Sequence, residues 1–196
     1  MIDHKIKLIN QRQQIKEYLN NISDSVVCEV GTRTGDFLEN TLLTNNCKLL
    51  IAIDIWTNTG NINQNDNDYD QQELDKQYIE TFNKFLSNPN IKILREFSNK
   101  AHKFFPDNFF DFVYIDADHS ENGCYEDLNN WYPKVKIGGI LSGHDYISKE
   151  LCKLYGHKTE FGVIEAVSKF KIENNILSNN FHLTSEEYAT YFIVKA

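Results

Sequence analysis

Short apolar, β-branched runs recur along this chain, and most are followed by a stretch of helical period. That alternation restricts the fold more than any other feature. The runs are "SVVCEV" (25–30), "KLLIAIDI" (48–55), "IKIL" (91–94), "FFDFVYI" (109–115) and "GGILSG" (138–143). Helical period returns in "GDFLENTLL" (35–43), from Glu73 to Leu86, in "NKAHKFF" (99–105), "ENGCYEDLNNWYPKV" (121–135) and "FGVIEAVSKFKIEN" (161–174). Such β-α alternation predicts a doubly wound, Rossmann-like α/β fold with a mostly parallel sheet and helices on both faces. The strands are apolar throughout, as strands covered on both sides must be. Two last runs, near 180–184 and 189–195, are separated by "SEE". They are too close for a crossover helix, so an antiparallel edge hairpin completes a seven-stranded sheet.

Outside that frame, Ile2, Ile6, Ile9, Ile15, Tyr18 and Leu19 recur at an approximately helical period. This predicts an N-terminal helix within 1–22. The stretch 57–72, "TNTGNINQNDNDYDQQ", is too polar to bury a core. It is expected to be a long loop, a lid or substrate loop over the acceptor. With 196 residues and no repeat, one domain spanning 1–196 is expected.

The formal charge of -8, from 20 basic and 28 acidic side chains, argues against general nucleic-acid binding. Cys28, Cys47, Cys124 and Cys152 form no CxxC pair, against a zinc site or a disulfide scaffold. The start "MIDHKIKLIN" lacks the apolar core of a signal peptide, and no apolar run reaches the ~18 residues of a membrane helix. A cytoplasmic protein with reduced thiols is expected, without membrane partners. Association into a homo-oligomer is left open.

Ligands of open α/β sheets bind at the carboxyl ends of the strands. There this chain places "EVGTRTG" (29–35), Asp54, "EFS" (96–98), then Asp116, Asp118 and His119, and finally His144 and Asp145. Gly31 and Gly35 permit a tight turn and close approach to a ligand. Arg33 stands where a dinucleotide loop wants its second glycine, which disfavours an NAD-linked oxidoreductase. Asp54 is placed to accept ribose hydroxyls, so a nucleoside-containing ligand is expected. Asp116 and Asp145 follow strands that would be neighbours. With His144 they make a donor set for a divalent cation: Mg²⁺ if oxygen ligands dominate, Mn²⁺, Fe²⁺ or Zn²⁺ if the imidazole binds. His119 is a candidate general base. Asp118 reads as a loop or helix-start acid, with Ser120 as an N-cap.

These residues resemble the class I S-adenosylmethionine-dependent methyltransferases. More narrowly, "GTRTG", "YIDADHS", "GGILSGHDY" and "FGV.EAV" resemble a small group similar to metal-dependent macrolide-sugar (macrocin) O-methyltransferases. The resemblance implies S-adenosyl-L-methionine as cofactor, held by Glu29, Gly31, Thr32, Gly35, Asp54, Ile55, Phe97, Ser98 and Asp116. It implies a metal, Mg²⁺ or another divalent cation, at Asp116, His144 and Asp145, with His119 and Asp116 catalytic. The acceptor would be a hydroxyl of a small molecule such as a sugar. Two departures stand out. Phe97 replaces an acid beside the adenine, so stacking or Glu96 would serve there, and His144 replaces an Asp. A cofactor-binding protein without catalysis is the alternative from another class.

Overall fold

The computed structural model describes residues 4–59, 69–157 and 161–196. Its strands are β1 (Ser25–Val30), β2 (Cys47–Asp54), β3 (Ile91–Arg95), β4 (Phe110–Ile115), β5 (Val135–Tyr146), β6 (Phe181–Leu183) and β7 (Ala189–Val194). They form one seven-stranded sheet in the order β3-β2-β1-β4-β5-β7-β6. The first five are parallel, and β7 lies antiparallel to both β5 and β6. The expected doubly wound architecture and antiparallel edge hairpin are therefore present. The chain runs outward from β1 to β3, then crosses back to place β4 on the other side of β1. That reversal opens a crevice at the carboxyl ends of β1 and β4, where such folds bind ligands.

Alternation along the strands fills a core on each face. On β4, Val113 and Ile115 join the layer around Trp131 and Phe170, while Phe112 and Tyr114 join the layer around Ile15, Leu38 and Leu42. The helices are α1 (Ile15–Leu19), α2 (Gln71–Phe85), α3 (Ser98–Ala101), α4 (Glu121–Trp131), α5 (Lys149–Leu154) and α6 (Val163–Glu173). A single π-helical turn, Leu38–Leu42, continues the turn after the glycine loop. Ser120 caps α4, its hydroxyl accepting the Gly123 N–H at 3.1 Å. Among the described residues, no helix is long and apolar enough to cross a membrane.

Five differences from these expectations stand out. The N-terminal helix of 1–22 is broken: His4–Leu8 and Arg12–Gln14 are 3-10 turns, and only Ile15–Leu19 is α-helical. The cause is local. The Gln14 side-chain oxygen accepts the backbone N–H groups of Asn10 and Gln11, at 2.8 and 3.0 Å, and so starts a new turn there. The helix expected over 121–135 ends at Trp131, because Pro133 cannot continue it. The strand then begins at Val135 rather than 138. The short helix α5 was not expected, since six residues carry too little periodicity to be seen. Of the stretch 57–72, residues 60–68 lie outside the described residues. Its last two positions are already helical, behind Asp70, whose side chain accepts the Glu73 N–H at 2.9 Å.

The N-terminal segment is strapped onto the edge hairpin. His182 Nε2 lies 2.7 Å from the Ile9 carbonyl, Ser185 N–H donates to the Asn10 carbonyl at 3.0 Å, and Arg12 N–H donates to Glu186 Oε2 at 2.8 Å. Ile6 and Ile9 are buried beneath it.

Candidate active site

A cavity of about 550 Å³ opens at the β1/β4 crevice. Its floor is the glycine loop. Gly31 has φ +95°, and a Cβ there would sit 1.9 Å from the Asp116 carbonyl oxygen. Only glycine fits, so the β1 and β4 ends can close on each other, with Asp116 N–H donating to the Val30 carbonyl at 2.7 Å. Gly35, at φ +72°, is pressed against the Phe85 ring in the same way. Glu29, the last residue but one of β1, is only 2% exposed, with the buried Thr32 hydroxyl beside it acting to lower its carboxyl. Burial, with Asp116 and Asp54 adding to it, pushes the Glu29 carboxyl well above the usual range.

Asp54 is held at the end of β2. Its Oδ2 accepts the Arg33 N–H at 2.8 Å and its Oδ1 the Trp56 N–H at 2.9 Å. Further along the wall stand Ile55, Glu96 and Phe97, whose ring is 40% exposed. Glu96 Oε1 accepts the Phe97 N–H at 2.7 Å. Ser98 also lines the cavity, but its hydroxyl is engaged elsewhere. It donates to buried Asp127 and accepts from Trp131 Nε1 at 2.8 Å, tying α3 to α4. Burial raises the Asp127 carboxyl to about 7, against the lowering effect of Ser98.

At the opposite end, the two strands beside the crevice deliver an acid and imidazole cluster. β4 and β5 pair with Ile115 opposite Gly143, which brings Asp116 beside His144 and Asp145. The β5–β7 register breaks between Gly143 and Tyr146, a bulge that turns Asp145 into the cavity at φ +55°. Ligand atoms of Asp116, His144 and Asp145 lie within 4.8 Å of one another. His144 Nδ1 is 2.9 Å from Asp145 Oδ1. His119 Nε2 lies 3.2 Å from both Asp116 Oδ1 and Asp145 Oδ2. Burial lowers the affinity of His119 for its proton, but Asp116, Asp145 and Asp118 together outweigh it and raise the group to about 9. Burial also acts to raise Asp145, yet His144 and His119 hold its carboxyl below the usual value. Asp118 serves the scaffold: Oδ1 accepts the Ser120 N–H at 2.8 Å, and the side chain packs on Gly123.

All the cofactor and metal positions expected from the sequence thus fall near one crevice. Glu29, Gly31, Thr32, Asp54, Ile55, Phe97, Ser98, Asp116, His119, His144 and Asp145 line the cavity, while Gly35 lies behind it against α2. Arg12, Phe37 and Asp127 line it too, and sequence reasoning missed them. No motif marks them; the isolated Arg12 in a polar run offered no signal.

A family model described as "Methyltransferase domain" matches residues 28–146, well over half of the chain. The chain belongs to the methyltransferase domain family. No curated protein matches this methyltransferase domain significantly by sequence. Solved structures show the fold. The O-methyltransferase NovP is similar at TM-score 0.61 and 15% identity, over 94% of this chain and 78% of that one. Spermidine synthase from Thermotoga maritima is similar at TM-score 0.58 and 14% identity, over 94% of this chain and 58% of that one. Fibrillarin from Aeropyrum pernix, with natively bound S-adenosyl-L-methionine, is similar at TM-score 0.55 and 9% identity, over 90% of this chain and 72% of that one. Family and fold are those of a methyltransferase domain, and a protein of the same fold, that fibrillarin, binds S-adenosyl-L-methionine.

The residues present fit that cofactor. The cavity is rich in carboxylates, which suits a sulfonium cation, and Glu29 brings a buried carboxyl to its lining. A divalent cation also fits Asp116, His144 and Asp145, since two carboxylates and an imidazole are its ordinary donors.

Proposed function

We propose that this domain moves a methyl group from S-adenosylmethionine to a hydroxyl of a small molecule such as a sugar, assisted by a divalent cation. The observation that carries the reading is the convergence of Asp116, His144 and Asp145 within 4.8 Å in the same cavity as the Gly31 cradle. A hydroxyl is a poor nucleophile at neutral pH; the cation would orient it and lower its pKa, and the cofactor supplies an electrophilic methyl.

This chain's own residues would do the rest. Glu29, Gly31 and Asp54 hold and orient the cofactor, and positioning of the two reactants supplies much of the rate. Phe97 offers a face for the adenine. A cation held by Asp116 and Asp145 would take up the negative charge that keeps the His119 proton in place, and that proton would leave to solvent. The neutral His119 imidazole would then accept the proton of the acceptor hydroxyl. The four buried free cysteines support a reducing compartment such as the cytoplasm.

The test pairs a binding and a turnover measurement. Asp145→Asn suits it, because asparagine tolerates the left-handed backbone at that position. Asp145→Asn and His144→Ala are expected to lose Mn²⁺ binding by electron paramagnetic resonance and to lower kcat at least ~100-fold, while S-adenosylhomocysteine still binds. Full turnover by both variants, or by the wild type in excess chelator, would remove the metal from the reading.

A further inference from the structure

The stretch "FGV" (161–163) leads into α6, and its two apolar side chains part company there. Val163 joins the core around Trp131 and Phe170. Phe161, only 4% exposed, belongs to a separate small cluster with Ile147, Cys152 and Tyr188. That cluster is joined to the acid and imidazole group of the cavity. The Phe161 ring packs against the His119 imidazole, with 4.9 Å between centroids and a tilt of 57°. His157 packs on Phe161 at 5.0 Å, and its Nε2 lies 2.6 Å from the Tyr188 hydroxyl. The Tyr188 ring in turn lies 6.5 Å from the His144 ring, at 22°. The backbone adds a clamp: Gly162 N–H donates to the His119 carbonyl at 2.8 Å. A Cβ on Gly162 would stand 2.4 Å from the Glu121 nitrogen, so this close approach to the start of α4 needs a glycine.

His119 needs such support. Its Nε2 lies 3.2 Å from both Asp116 Oδ1 and Asp145 Oδ2, and one N–H cannot point straight at two oxygens. The carboxylates therefore leave the imidazole more than one setting. A flat ring packed on it, at a distance that aromatic pairs prefer, removes that freedom. We propose that Phe161 is a positioning residue, whose ring, carried next to the Gly162–His119 clamp, holds the His119 imidazole in one orientation toward Asp116 and Asp145. The proposal rests on the reading of His119 as the proton acceptor and names what keeps that base aimed. A base already held in one orientation loses little freedom on reaching its proton, and a small displacement of such a group is costly to the rate.

Side-chain ¹³C relaxation of the His119 imidazole, measured by NMR at one fixed pH on the protein without ligand, tests this. The signal is assigned by its loss in His119→Gln. The wild-type ring is expected to be rigid, with an order parameter of about 0.85, whereas in Phe161→Leu it should fall below about 0.6 or show relaxation dispersion. Phe161→Tyr, which keeps the flat ring, should restore the wild-type value. Cys152→Ala loosens the same cluster but takes no ring from His119, so it should leave the imidazole rigid. If Phe161→Leu does not give a folded spectrum, Phe161→Met takes its place with the same expectation. A rigid His119 in the folded Phe161 variant overturns the proposal, as does an equal loosening in Cys152→Ala or a mobile ring in the wild type. Calorimetry of the wild type with S-adenosylhomocysteine keeps the two readings apart: no binding at millimolar concentration would remove the cofactor reading, whereas a mobile wild-type ring would remove this proposal alone.

Discussion

Asp127 shows how a single buried side chain can couple this site to pH. Its carboxyl is 4% exposed, is held by Ser98, and is raised by burial from 3.8 to about 7. The folded protein therefore binds a proton more tightly there than the unfolded chain does. Asp127's contribution to stability is complete below pH 3.8 and declines as pH rises toward about 7. The limiting slope is about 1.4 kcal/mol per pH unit. Urea denaturation of wild type and Asp127→Asn between pH 4 and 7.5 should show this decline in the wild type and a flatter profile in the variant; parallel profiles would contradict it. Several site residues were legible before the fold was known. Asp54, Asp116 and Asp145 each interrupt or follow an apolar run, and no packing demand explains a carboxylate there. Asp127 and Arg12 were not legible, because one looks like any polar helix position and the other like any surface arginine. Their reach into the cavity follows from the paths of α4 and the N-terminal strap, not from their neighbours in sequence.

Elements aim these side chains. The pairing of β4 with β5 could be anticipated from β-α alternation, and it alone brings Asp116 near His144 and Asp145. The bulge after Gly143 could not: "SGHDY" carries no composition that separates a bulge from a regular strand. Helix α4 starts directly after His119, and its cap anchors the loop that carries that imidazole. Ser120→Ala removes the acceptor for the Gly123 N–H and is expected to cost about 1 kcal/mol. The check is a lower urea midpoint with an unchanged m-value. A stability equal to wild type would mean that Asp118, which accepts the Ser120 N–H, fixes this turn by itself.

At the scale of the whole molecule, the strap from residues 9–12 to residues 182–186 joins distant parts of the chain across the edge of the site. It is made of surface hydrogen bonds laid over two buried isoleucines, so it should open more readily than the sheet. Glu186→Gln combined with His182→Ala is expected to speed amide exchange at Arg12 and Ser185 by about tenfold for each 1.4 kcal/mol lost, as hydrogen-exchange mass spectrometry would show. Exchange within β4 should not change. Equal acceleration in both places would mean that the strap opens only with global unfolding.

That strap also sets a schedule. During synthesis residues 9–12 leave the ribosome long before residues 182–186 exist, so Arg12 waits for the 174 positions up to Glu186 before its backbone is anchored. The glycine loop, Asp54 and Asp116 can assemble around β1, β2 and β4 earlier. Anchoring of Arg12 thus comes after that cradle, and a nascent domain stalled before β6 would carry the cradle without its anchored arginine.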